Sequence, residues 1–173
     1  MKRLLLILAL LACALEAQAQ GTMQFQAVLK GSSEVPPNSD PTVANGIFSL
    51  TGDTLSFNVT VPALSFNTTG GTINGPAPPG ASAAIIFDLG FFVFHPGNDF
   101  GSAPYYAFGF PTFTLTAQQF NQLEGGLWYV NITSETMPDG QLRGQILPVP
   151  EPSSFALLVA GAGLAILIRR RKA

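Results

Sequence analysis

Leu55-Ser56-Phe57-Asn58-Val59-Thr60-Val61 alternates apolar and polar residues without a break. Successive side chains of a strand point to opposite faces, so this stretch reads as a half-buried β-strand. Met23 to Lys30 repeats the pattern and turns Met23, Phe25, Ala27 and Leu29 inward. Ala83 to Phe87 and Gly90 to Phe94 are nearly continuous apolar runs, expected of central strands buried on both faces. Leu127 to Ile132 and Gln141 to Leu147 complete the set, with the polar tips of Trp128 and Tyr129 expected at a half-wet position. Turn signals separate the runs: Pro36-Pro37-Asn38, Thr51-Gly52-Asp53, Pro78-Pro79-Gly80, Pro96-Gly97-Asn98 and Pro138-Asp139-Gly140. One helix is expected, with Thr116 as N-cap, Ala117 to Leu123 as body and Gly125-Gly126 as stop. Many short strands with regular turns predict an all-β, antiparallel sandwich or barrel.

Both ends of the chain differ from this body. Lys2 and Arg3 precede an apolar run from Leu4 to Leu15 and then Ala17-Gln18-Ala19. That is a secretory signal, expected to be cut between Ala19 and Gln20. Leu10-Leu11-Ala12-Cys13 also resembles a lipoprotein box, but a cut there leaves a short apolar run. If Cys13, the one cysteine, leaves with the signal, the exported chain holds no thiol and depends on its packed core. At the other end, Val149-Pro150-Glu151-Pro152 is followed by a small apolar stretch, then Arg169-Arg170-Arg171-Lys172. Phe155 to Ile168 spans about 21 Å as a helix, short of the roughly 30 Å of a bilayer core. Flanking serines and extended arginine stems bring it near a thin bilayer, with the basic cluster cytoplasmic. A plain C-terminal anchor is one reading. The breaker, short helix and basic stop, in that order, resemble a PEP-CTERM sorting signal of Gram-negative bacteria. That resemblance implies recognition by an exosortase at Pro150, Glu151 and Pro152, then removal of the helix. The organisation expected is a signal at 1–19, a β-domain at 20–148 and a sorting segment at 149–173.

Between Gln20 and Pro150 there are eight acidic residues against two basic ones, Lys30 and Arg143, a net −6. Nucleic acid and anionic lipid both require a positive surface, so neither is an expected partner of the body.

Within the body, Phe25 to Lys30 followed by Gly31-Ser32-Ser33-Glu34-Val35-Pro36-Pro37 resembles the opening of a CHRD (chordin-type) domain. Asn74-Gly75-Pro76-Ala77 is similar to its middle motif. Tyr129-Val130-Asn131, Pro138-Asp139-Gly140 and Arg143-Gly144-Gln145 are similar to its closing motif. The resemblance implies an all-β domain of secreted and matrix-type proteins, without established catalysis and similar to a superoxide-dismutase sandwich. Glu34, Pro36, Gly75, Pro76, Tyr129, Asn131, Gly140, Arg143 and Gly144 carry it as structural residues. Members of the family carry histidines where this chain has Thr72, Asn74 and Thr133. Thr and Asn bind transition metals poorly, so no metal site and no cofactor is expected there.

The remaining candidates are few. His95 is the single histidine and reads as a turn residue at a strand end. Asp88 and Asp99 read as solvated turn carboxylates; Asp53, Asn98 and Asp139 sit in turns and could bind calcium, but no EF-hand or repeat loop is present and no calcium site is expected. Arg143 is expected in a structural ion pair, with Glu34 as the candidate partner, in preference to ligand binding. Asn58, Asn67 and Asn131 stand in Asn-x-Thr sequons, read as strand composition rather than glycan sites. Two classes of function follow. One is an exported, non-catalytic surface or extracellular-matrix protein that binds polysaccharide or protein. The other is a secreted enzyme or metal-binding protein on a dismutase-like sandwich.

Overall fold

The computed structural model describes residues 21–62, 68–90, 92–95 (backbone only), 105–109 and 111–150. The two hairpin strands with the clearest alternation form as expected. β1 (Met23–Lys30) buries Phe25, Ala27 and Leu29, and β3 (Thr54–Pro62) buries Leu55, Phe57, Val59 and Val61. Between them lies β2 (Val43–Thr51), which the sequence reading missed. It too alternates, burying Ala44, Phe48 and Leu50, but Gly46 stands where a large inward residue would mark it. Gly46 is small for a reason: a Cβ there would lie 2.9 Å from the Phe48 ring. Gly52, at a φ of +62°, closes the two-residue turn between β2 and β3.

The other strands are β4 (Thr68–Asn74), β5 (Ile85–Asp88), β6 (Phe92–His95), β7 (Tyr105–Phe108), β8 (Phe113–Thr114), β9 (Tyr129–Ser134), β10 (Leu142–Gln145) and β11 (Leu147–Pro148). They form one antiparallel sheet in the order β5-β4-β9-β10-β1-β2-β3-β7-β6, with β11 on β1 and β8 on β3. The sheet curls into a half-barrel, the barrel-like of the two closures expected. Stacked rings cross its hollow. Phe48 meets Phe57, Phe57 meets Phe113, Phe113 meets Phe87 with centroids 4.1 Å apart, and Phe87 meets Trp128 edge-on. The Phe113–Phe87 contact joins β8, on β3, to β5 at the far end of the strand order, and the series supplies apolar burial plus ring geometry.

Helix α1 (Ala117–Glu124) begins as its sequence dictates. The Thr116 hydroxyl accepts from the Gln119 N–H, and the Gln119 side chain accepts from the Thr116 N–H, a reciprocal capping box. Leu123 is its fully buried residue.

Two expectations need correction. The apolar runs at 83–87 and 90–94 are not central: β5 and β6 end the strand order. In β5, Ile85 pairs with Asn74 and Phe87 with Ile73, leaving Ile86 as a bulge. The bulge breaks alternation, so Ile86 and Phe87 both pack on the core while Ile85 is 63% exposed. An apolar run signals burial, but not position in the sheet. Trp128 and Tyr129 are not half-wet either; they are 0% and 3% exposed. Their polar tips find protein partners instead: indole Nε1 donates to Gln122 Oε1, and the Tyr129 hydroxyl accepts from the Ala83 N–H.

The expected signal at 1–19, with its cut between Ala19 and Gln20, lies outside the described residues, as do Glu151, Pro152 and Arg169 to Lys172. Among the described residues no helix is long and apolar enough to cross a membrane.

Candidate functional site

The resembling residues gather on the outer face of β4, β9 and β10. Antiparallel register aligns Thr72, Asn131 and Arg143 in one row across the three strands. Asn74, Tyr129 and Gln145 form the next row. Two loops close over these rows, residues 31–42 and 75–84, the first held by Gln141 just before β10 and the second by side chains from the strands below.

The 75–84 loop is held largely by its carbonyls. Arg143 Nη2 donates to Ala81 O at 2.5 Å, and its guanidinium lies 3.4 Å from the centroid of the Tyr129 ring. Gln145 Nε2 donates to Ala77 O and Gly126 O, and Asn74 Nδ2 to Ala83 O. Thr72 Oγ1 donates to Asn74 Oδ1 at 2.7 Å. The two family histidine positions on β4 are therefore spent on each other and on the loop. Gly75 N–H donates to Ala84 O, and both signature prolines, Pro36 and Pro76, follow cis peptide bonds.

The 31–42 loop is tied to Gln141. Asn38 Nδ2 donates to Gln141 O, and Gln141 Nε2 donates to Asp40 Oδ2. Asp40 Oδ1 accepts from the Thr42 N–H. Burial pushes the Asp40 carboxyl up, but the hydrogen bonds from Thr42 and Gln141 outweigh it and hold the group below its ordinary value. Sequence reasoning passed over Asn38, Asp40 and Gln141. The signal available was Asn38-Ser39-Asp40-Pro41-Thr42, where short polar side chains accept from backbone two residues on.

Gly140 and Gly144 are glycines because neighbours come too close. A Cβ on Gly144 would stand 2.6 Å from Val28 O, a backbone atom that cannot move aside. A Cβ on Gly140 would stand 2.7 Å from Glu34 Oε2 and 2.8 Å from Asn131 Oδ1.

The expected Glu34–Arg143 ion pair does not form. Arg143, 3% exposed, directs its guanidinium to Tyr129 and Ala81, and no ion pair within 4.0 Å links it to Glu34. Glu34 is 8% exposed and its Oε1 has no hydrogen-bond partner. Burial pushes its carboxyl up to about 7, against the pull of Arg143 and the Val35 N–H.

Three hollows mark this face. One of about 420 Å³ is lined by Ser33, Glu34, Pro79, Arg143 and Gln145. A second, about 340 Å³, lies beyond Glu34 and is lined by Asn38, Met137, Asp139 and Gly140. The third, about 580 Å³, is walled by Thr69, Thr72, Asp88 and Thr133. Thr72 and Thr133, two of the family histidine positions, thus put hydroxyls on a groove. Asp88 is a turn carboxylate there, accepting from the Gly90 N–H. Asp53 caps its own turn through Thr54. Among the described residues no three His, Cys, Asp or Glu side chains come together. The His95 side chain and Asp99 lie outside what is described, and with them the test of a histidine-centred site.

Fold and site together define an all-β domain whose marked residues hold two loops over one polar sheet face. Residues 25–146 match the CHRD domain, well over half of the chain, and the chain belongs to that family. Residues 148–172 match the PEP-CTERM protein-sorting motif. The protein is therefore one sorted to the cell surface or exterior through an exosortase. Val149 and Pro150, within that matched stretch, follow β11, and the Val149 N–H donates to Gln24 O. No curated protein and no solved structure matches the chain.

Proposed function

We propose that this is a non-catalytic cell-surface or extracellular-matrix protein. Its CHRD domain binds polysaccharide or protein after the C-terminal segment is processed and the helix removed. The observation that carries the reading is the junction: the domain match ends at residue 146 and the sorting motif begins at 148. One module is delivered directly by one address.

The outer face of β1, β2 and β3 supports polysaccharide as the partner. Register places Gln24, Ser49 and Ser56 in one cross-strand row, and Asn45 beside Thr60 in another. Neutral amides and hydroxyls offer both donors and acceptors to sugar hydroxyls without a charge to desolvate. The acidic body repels acidic glycans, so a neutral polysaccharide fits best.

Fractionation with intact-mass measurement tests the processing. Wild type is expected at the surface or in the medium without Arg169 to Lys172. A Pro150-Glu151-Pro152 to Ala triple variant should keep those residues and stay in the membrane. A wild-type product that retains them leaves a plain anchor. For binding, Ser49→Lys with Ser56→Lys should release the processed protein from the polysaccharide fraction, and unchanged retention removes this face as the contact.

A further inference from the structure

The chain leaves the core at Ile146, which is 0% exposed and whose N–H donates to Trp128 O. It then lies along the edge of β1. Leu147 pairs with Gln26, Pro148 pairs with Phe25, and the Val149 N–H donates to Gln24 O. Gly126 seats this strand, since a Cβ there would stand 3.0 Å from Leu147 Cδ2. The stretch that matches the sorting motif begins at residue 148, so its first residues are part of the domain's sheet and no linker intervenes.

Backbone groups of successive strand residues point to opposite edges. The Val149 N–H faces β1, so the nitrogens of Pro148 and Pro150 face away from it. A proline stands on a sheet edge without loss only in that sense, with its missing N–H outward. Both prolines are exposed, and no described strand pairs with β11 on that side. In sequence, proline recurs at every second position through Pro148, Pro150 and Pro152. The outward edge therefore offers an enzyme few N–H donors, which disfavours recognition by strand addition and favours a groove that holds proline rings on an extended backbone. Phe155, where the apolar stretch begins, is six residues on from Val149, at most about 20 Å of extended chain. The folded domain thus stands close to whatever cuts the segment between.

We propose that the edge of β1 is a docking strip that presents the sorting segment to the exosortase as an extended, proline-edged strand. Gln24 and Gln26 are its positioning residues, since residues two apart in β1 face the same edge. The proposal rests on the processing reading above and adds the domain to what the enzyme recognises. A segment held extended before it binds has already lost the backbone freedom that recognition otherwise costs, so docking speeds processing.

Pulse-chase of the full-length chain in cells that hold the exosortase tests it, with loss of Arg169 to Lys172 followed by intact mass. Val149→Pro removes the N–H bonded to Gln24 O but keeps the backbone extended and Pro150-Glu151-Pro152 intact. It should slow processing roughly tenfold, the cost of ordering about one residue. Gln26→Pro removes a donor from the β1 side without touching the sorting segment, and should slow processing likewise. Asp53→Asn, in the β2–β3 turn, should be processed at the wild-type rate. Thermal unfolding of each variant separates slow processing from failure to fold. Should Gln26→Pro not fold, hydrogen exchange on the purified full-length chain decides: the Val149 amide should exchange more slowly than an unstructured one. An unprotected Val149 amide, or folded variants processed as fast as wild type or faster, overturns the docking strip and leaves the processing reading standing. A wild type that keeps Arg169 to Lys172 overturns both.

Discussion

The β1–β2–β3 half of the sheet and the roofed face of β4, β9 and β10 are built on opposite terms. In the first, inward residues are apolar, outward ones are mostly polar apart from the exposed Val28, Val43 and Ile47, and each strand needs little beyond its neighbour's pattern. In the second, polar side chains are buried and satisfied by loop backbone, with Arg143, Gln141 and Glu34 all under 9% exposed. The first half is stabilised by area removed from water. The second is stabilised only where every polar group finds a partner, and Glu34 Oε1, Thr68 Oγ1, Asn131 Oδ1 and Gln141 Oε1 are the exceptions among the described residues.

The comparison can be broken from either side. Phe48→Ala should cost the most, about 3–5 kcal/mol by thermal or denaturant unfolding, because it removes a fully buried ring from the aromatic ladder. A loss below about 1 kcal/mol would mean the ladder does not bear on stability.

Glu34 tests the second half through pH. Its carboxyl is raised from 4.5 to about 7 in the fold, so the folded state holds the proton more tightly than the unfolded chain. That contribution is fully present below about pH 4.5 and lost as pH rises through 7. Glu34→Gln should flatten stability over this window. Asp40, whose group is lowered, acts in the opposite sense and only in stronger acid. An unchanged slope in the variant would place the titration elsewhere.

Tyr129→Phe should cost about 1 kcal/mol, since it removes the hydroxyl held by Ala83 but keeps the ring beneath Arg143. Arg143→Lys should cost more than Tyr129→Phe, because an ammonium cannot stack and reach Ala81 O in the same way. The smallest effect is expected at Ser56→Ala on the open outer face, within about 0.5 kcal/mol. A larger loss there would erase the contrast between the two halves.

How much could be read in advance follows the same division. β1, β3 and α1 were legible because their determinants are local: a period of two, and a Thr116/Gln119 capping box. β2 escaped because Gly46 interrupts its apolar row, and β4 because Gly70-Gly71 offers no side chains to count. The placement of β5 escaped because a bulge at Ile86 imitates burial on both faces. On the roofed face, the marked residues were identified from resemblance, but their partners were not. Arg143 was expected to face Glu34 and instead faces Ala81, a carbonyl 62 residues away in sequence.

The chain by itself determined its all-β class, its family, its acidic balance and its sorting address. Each of these is a local pattern or a sum over residues, and needs no knowledge of what lies across the sheet. Only the tertiary structure decided the order of the strands, the burial of Trp128 and Tyr129, and the separation of Glu34 from Arg143. Those depend on contacts between distant segments, where a polar group takes whichever partner the closed sheet brings within hydrogen-bond reach.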